Sequence, residues 1–215
     1  MYHCTMCEAC SNDCVTGYKP TDLNREARTL AVVNDIAPKA IIREIDNILT
    51  SGNIFGKETS ADLLTAIDGL PVKAETLLYV GQSGRAVAPG TAIAAISFLK
   101  KAGVDFTVLK DEPASGAYLA DLMGLTGDVQ AVAVKTADVI KASGAKKLIV
   151  LNPMDAVMFR DNYSRWGLLG GIEVVTFTAA AAGLIESGAV KVQKAELRAS
   201  LHEPVKLTRG LDEEK

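Results

Sequence analysis

The sequence predicts an α/β fold in two parts: a small N-terminal helical module over residues 1–70, then a parallel-sheet lobe over 71–215. Three observations predict it. After Pro71, the runs "TLLYVG" (76–81), "DFTVL" (105–109), "KLIVLN" (147–152) and "IEVVTF" (172–177) are short, apolar and rich in β-branched residues. Longer stretches with helical periodicity separate them, and strands that are apolar on both faces belong to parallel sheets covered by helices on each side. Before Pro71 the apolar pattern is helical throughout, and all four cysteines fall within residues 4–14.

Each element has its own signal. Residues 1–20 carry the turn formers Asn12, Asp13, Gly17 and Pro20. "TDLNREARTLAVV" opens on Thr21, an N-cap type, and places Leu23, Ala27, Leu30 and Ala31 at helical spacing, the expected buried face. "PKAIIREIDNILTSGN" puts Ile41, Ile42, Ile45, Ile48 and Leu49 on one side, with Gly52 and Asn53 as stop residues. "SGNIFGKE" reads as loop and 61–67 as a short helix. In the lobe, helices are expected near 89–102, 115–124, 128–143, 153–164 and 178–187. The tail "LHEPVKLTRGLDEEK" reads as an edge strand that ends solvated. In open parallel sheets the functional crevice lies beyond the carboxyl ends of the strands. Here those ends carry "GQSG" (81–84), "KDEPASG" (110–116) and "NPMD" (152–155).

Composition narrows the function. A formal net charge of −3 gives no electrostatic reason to bind nucleic acid or an anionic membrane surface. With aromatics at 5%, stacking platforms for single strands are not expected either. No stretch has the roughly 18–20 apolar residues of a membrane span, and "MYHCTMCEAC" lacks the apolar core of a signal peptide. The expected setting is cytoplasmic, with reduced thiols.

Cys4, Cys7, Cys10 and Cys14 form C-x2-C-x2-C-x3-C. Successive two-residue gaps wrap one chain segment around a compact object and turn its amides inward, the pattern of a cubane [4Fe–4S] cluster. Zinc sites draw ligand pairs from separated knuckles, and a disulfide framework does not suit a reducing compartment. Zinc and redox or structural thiols stay as the alternatives. In two-cluster ferredoxins the fourth cysteine of this run precedes a proline and ligates the other cluster. Here Val15 follows Cys14 and no second run exists. Either all four thiolates take one cluster, or Cys14 reaches elsewhere and the cluster borrows a ligand.

Taken with "SGNIFGK", "LLYVGQSG", "KKAGVDFTVL", "NPMDAVMFRDNY" and "LHEPVKLTRG", the cysteine run resembles the iron–sulfur subunits of the heterodisulfide reductase and glycolate oxidase type. There, ferredoxin-like motifs precede repeats of the CCG domain. The resemblance implies a lone Cys after the first strand, a Cys-Cys-Gly after the second and a Cys-x-x-Cys after the third. This chain has Gln82, Ala114 and Ser115, and Asn152 and Asp155 at those places, with the family's spacing kept and all five thiols absent. "HEPV" stands where the family has a His-Asp-Pro-Cys. The resemblance thus implies one cluster motif ahead of a CCG-like lobe without its own cluster ligands.

Other candidates have bland and sharp readings. Asp155 and His202, with Gln82, Ser115 and Asn152, are either hydrogen-bonded remnants or a small metal or ligand pocket. His3 is an exposed terminal residue or tunes the cluster. "GQSGRAVAPG" lacks both G-x-G-x-x-G and the Walker lysine, so nucleotide binding is disfavoured. Tyr163, Trp166, Arg160 and Arg165 form a docking patch or simply pack.

The function expected is an electron-transfer subunit with no catalytic residue of its own. It would work as a homodimer or, preferably, beside other iron–sulfur or flavin redox subunits, through the lobe face next to "LHEPVKLTRG". The alternatives are a non-redox assembly or scaffold subunit with a structural metal site, and an enzyme using the polar strand-end residues.

Overall fold

The structure, a computed structural model, describes residues 1–193 and 196–213. Among the described residues the helices are α1 (Ala9–Asn12), α2 (Pro20–Val33), α3 (Lys39–Ser51), α4 (Ala61–Ile67), α5 (Gly81–Ala86), α6 (Pro89–Lys101), α7 (Ala117–Met123), α8 (Gly127–Ala142), α9 (Pro153–Val157), α10 (Phe177–Glu186) and α11 (Val205–Leu211). A π-helical turn, Met158–Tyr163, continues α9. The strands β1 (Thr76–Tyr79), β2 (Phe106–Thr107), β3 (Lys147–Val150) and β4 (Glu173–Thr176) are all parallel, in the order β2-β1-β3-β4. The α/β class and the parallel sheet are as the sequence predicts.

Register explains why the strands are apolar throughout. Thr107, Leu77, Leu148 and Val174 lie in one row across the sheet, and Leu78, Ile149 and Val175 in the next. Because side chains alternate along a strand, Leu77, Tyr79, Leu148 and Val150 enter one core with α3, α7, α8 and α9. Leu78, Val80, Ile149 and Phe106 enter the other with α4 and α6. Each such side chain, fully buried, contributes about 1.5–3 kcal/mol. Residues before Pro71 share both cores: Ile45 and Ile48 of α3 lie in the first, and Leu63 and Ile67 of α4 in the second.

Several sequence expectations are corrected. Helix α2 begins at Pro20, whose missing N–H is harmless at the first helical position. Thr21 is therefore inside the helix rather than its cap, and its hydroxyl meets Ser11 Oγ at 2.9 Å. The buried face of α2 is Thr21, Arg28 and Ala31, while Leu23 and Leu30 are 60% and 63% exposed. Polar anchoring to the cysteine segment orients this helix, overriding its apolar periodicity. In α3, Leu49 is likewise exposed, although Ile45 and Ile48 are buried and Gly52, at φ 72°, ends the helix as expected.

"GQSG", at the carboxyl end of β1, forms the first turn of α5. The tail is not an edge strand: Pro204 precedes α11, which packs over α9. The terminal "DEEK" is not simply solvated. Glu213 accepts from Arg160 Nη2 at 2.6 Å and from the Thr176 hydroxyl at 2.5 Å; Glu214 and Lys215 lie outside the described residues.

Candidate functional site

The cysteine segment is shaped by two non-glycine residues in the left-handed region, Met6 at φ 54° and Glu8 at φ 63°. Such residues are uncommon and costly, so surrounding contacts must hold them. Met6 is driven into the interior, 1% exposed, and its amide donates to Cys4 Sγ at 3.4 Å. Glu8 leads into α1, which carries Cys10. The four thiols are free; Cys10 is exposed and the other three are partly covered.

Local donors favour two of these thiols as thiolates. The Ala9 amide, then the Thr5 hydroxyl and the Arg209 charge, hold Cys7 below the ordinary thiol value. The Thr16 hydroxyl, 3.1 Å from Cys14 Sγ, and the Thr16 amide do the same for Cys14. Among the described residues, no three His, Cys, Asp or Glu side chains are grouped tightly enough to hold a single metal ion. The donor chemistry of four unbridged thiols in one wrapped segment nonetheless suits an iron–sulfur cluster, which spans more space than one ion.

Distant parts of the chain grip the segment. Arg28 Nη2 donates to the Cys4 carbonyl at 2.6 Å and to the Met1 carbonyl at 3.3 Å, and Nη1 donates to the Asp121 carbonyl. From α11, Arg209 donates to the Cys7 carbonyl at 3.2 Å, and Lys206 pairs with Glu8 at 2.7 Å. Arg25 lies 3.8 Å from Glu8 and 3.4 Å from Asp121. A groove of about 490 Å³ opens between this segment, α2, α7, α9 and α11, bordered by Glu8, Arg25, Asp121, Met158, Lys206 and Arg209. His3 is exposed.

The second region lies at the carboxyl ends of β1 and β3, where the strand order reverses and parallel sheets place their sites. Gly81 has φ 79°, and a Cβ there would come within 2.5 Å of Asp155 Oδ2 and 3.3 Å of Asn152 Cβ, so these residues converge. Ser115 donates to Asp155 Oδ1 at 2.5 Å, while the buried Asp155 Oδ2 has no partner among the described residues. Burial pushes Asp155 up to about 6, against the opposing Ser115 hydrogen bond. Asn152 caps α9 by accepting from the Met154 amide at 2.9 Å. Gln82 turns away from this group and accepts from the Ile54 amide at 2.7 Å.

Glu112 closes the same crevice. Its two oxygens accept from the amides of Val80 (2.8 Å) and Gly81 (2.7 Å). The enclosed carboxyl is pushed up to about 7 by burial, with the Arg85 charge and those two amides opposing. The loop that follows is pinned through its carbonyls: Pro113 by the Tyr79 hydroxyl (2.6 Å), Ala114 by Thr136 (2.8 Å) and Ser115 by Tyr163 (2.9 Å). The cavity left beside Gln82, Glu112 and Ala114 is about 40 Å³, the scale of bound water rather than of an organic cofactor.

The structure therefore gathers Ser115, Asn152 and Asp155, with Gln82 turned aside. His202 lies in exposed irregular chain, unlike the buried Asp155. The docking-patch reading fails for two residues. Tyr163 is 0% exposed, edge-on to Phe159 at 4.7 Å, and Arg160 is committed to Glu213 and the Val174 carbonyl. The stretch "LHEPVKLTRG" supplies α11. Sequence reasoning missed Arg28, Arg85 and Glu112, and read Asn53 only as a stop residue. Asn53 organises the "SGNIFGK" loop by donating to Ser51 and Lys57 carbonyls and accepting from Phe55 and Lys57 amides. For Arg28 a signal existed, because Thr21, Arg28 and Ala31 share one face at helical spacing.

No family model matches the chain, and no solved structure matches it. A protein of Chromohalobacter salexigens described as "Probable membrane-anchored ferredoxin" is 25% identical over 171 residues, covering 76% of this chain. The chain spans only 26% of that relative's length. This likeness carries nothing specific to heterodisulfide reductases. Among the described residues, no helix is long and apolar enough to cross a membrane.

Proposed function

We propose that the chain is an iron–sulfur electron-transfer subunit of a heterodisulfide-reductase-like redox complex, binding one [4Fe–4S] cluster through Cys4, Cys7, Cys10 and Cys14. The observation that carries this reading is the close spacing of four free thiols in one short segment, bent by positive φ at Met6 and Glu8. The likeness to a ferredoxin supports its coarser part.

When bound, such a cluster supplies reversible one-electron transfer, the electron arriving from and leaving to iron–sulfur or flavin centres of partner subunits. The chain's own residues prepare the site. Amide and hydroxyl donors favour Cys7 and Cys14 as thiolates, the form that binds iron. Arg28 and Arg209 fix the carbonyls of Cys4 and Cys7. The lobe serves as scaffold: Gln82, Ser115, Asn152 and Asp155 offer no thiolate, and their polar groups are largely engaged within the protein. We read 1–70 as the cluster module and 71–215 as the CCG-like lobe by role, with cores that cross this boundary, and place the protein in a reducing, cytoplasmic setting.

Anaerobically purified chain should contain about four irons and four acid-labile sulfides and show a reversible one-electron titration. About one zinc without iron would overturn the reading. A second reading, a scaffold subunit with a structural metal, is favoured by the way the segment joins α2 to α11. It predicts bound metal with no reversible redox signal.

A further inference from the structure

Arg28 is 4% exposed, midway along α2. Its terminal nitrogens serve only carbonyls, those of Cys4, Met1 and Asp121. Among the described residues its buried Nε has no partner, and the Tyr2 ring lies 5.1 Å from its Cζ. Among the described residues it has no carboxylate in ion-pair reach. Arg25, one turn earlier, lies within reach of three: Asp22, Asp121 and Glu8.

A buried charge without a counter-charge costs several kcal/mol, only partly offset by carbonyl dipoles. The site thus lacks an anion. The cluster proposed on the cysteine segment would supply one, and Arg28 already holds the carbonyl of Cys4, the first of its ligands. A [4Fe–4S] core on four thiolates is net negative when oxidised, and one unit more negative when reduced.

We infer that Arg28 is the buried counter-charge and positioning residue of the cysteine segment, fixing the Cys4 backbone and raising the reduction potential of the centre bound there. This rests on the proposed metal site. A cation in a poorly solvated place favours the more negative, reduced state, because little solvent screens it. Arg209 provides the internal contrast: it too holds a cysteine carbonyl, but its exposure lets water and salt screen its charge.

The test compares wild type with R28Q, R28K and R209Q in the full chain, reconstituted anaerobically with iron and sulfide. Metal content, release to a chelator, midpoint potential and the urea midpoint of the metal-free chain are measured for each. R28Q should titrate at a more negative potential and release iron about tenfold faster or more, the usual scale for lost outer-shell support. R28K, with its charge kept but its fork lost, should hold the wild-type potential while releasing iron faster, and R209Q should shift the potential by less than R28Q does. A purely structural Arg28 would lower the urea midpoint of R28Q and leave its potential unmoved; that result overturns the inference. If R28Q does not fold, R28K decides: a wild-type potential with faster release supports the inference, and a shifted potential or unchanged release overturns it. Wild type that takes up only zinc would defeat the iron–sulfur reading instead. Arg28 would then stand or fall on the chelator rates, again about tenfold faster in R28Q if the counter-charge is real.

Discussion

Glu112 and Asp155 show how single residues stabilise the strand ends. Both Glu112 oxygens accept backbone amides, so in E112Q an NH2 must face an N–H with no acceptor. The expected loss is about 1–3 kcal/mol, read from urea unfolding at pH 7. The two carboxyls also set a pH dependence. Their folded values, about 7 and about 6, lie above the ordinary ones because burial disfavours the charged forms. Between their ordinary and folded values the native state binds more protons than the unfolded chain, so stability falls as pH rises. The contribution is complete below the ordinary carboxylate values and is lost as pH rises through 6 and then 7. Urea midpoints should therefore decline across that window, and D155N should remove the lower-pH part of the decline. A wild-type midpoint that rises through the window would contradict the assigned protonation. Asp155 was legible at a strand end, but Glu112 was not, because "KDEPASG" offers three acidic or hydroxyl side chains and only the fold turns Glu112 onto the amides of β1's end.

At the scale of elements, the strands were legible and the α2 face was not. Four apolar runs name four strands because a sheet covered on both sides makes every strand position apolar, which local sequence records directly. Helix α2 is different: its apolar residues recur at helical spacing, yet Thr21, Arg28 and Ala31 face inward. Arg28 is drawn in by carbonyls distant in sequence, at Cys4 and Asp121, and Thr21 by the Ser11 hydroxyl. A periodicity argument weighs apolar residues and cannot see such partners. The same blindness made α11 look like a strand. The inverted face is testable by two substitutions. Leu30→Ser should change stability by no more than about 0.5 kcal/mol, as expected for exposed positions. Ala31→Leu, at 1% exposure, should cost about 1–3 kcal/mol through overpacking. The reverse order would restore the apolar face expected from sequence.

Across the whole molecule, the two ends of the described chain meet at the cysteine segment. Met6 and α2 hold it from the N-terminal side, and α11 from the other, through Lys206 to Glu8 and Arg209 to the Cys7 carbonyl. Helix α11 is itself fastened to the lobe, since Leu211 packs on the main core and Glu213 bridges Arg160 and Thr176. None of its residues is fully buried, so it is held mainly by these few polar links and should open far more readily than the sheet. Removing residues 205–215 should accordingly leave the strands folded, because Leu77, Leu78, Leu148 and Ile149 are packed by other helices. The cysteine segment would lose two of its cationic contacts and the Arg209 charge that favours the Cys7 thiolate. Two results are expected of the shortened chain: a near-native far-ultraviolet spectrum, and iron loss to a chelator several-fold faster than in the full chain. Coupling must also run the other way, because a ligand that binds the closed arrangement stabilises whatever completes it. Metal loading of the full chain should therefore slow amide exchange in 205–211 while exchange in 147–150 stays unchanged. Equal exchange in 205–211 with and without metal would separate α11 from the site and leave its contacts with Glu8 and Cys7 as surface packing.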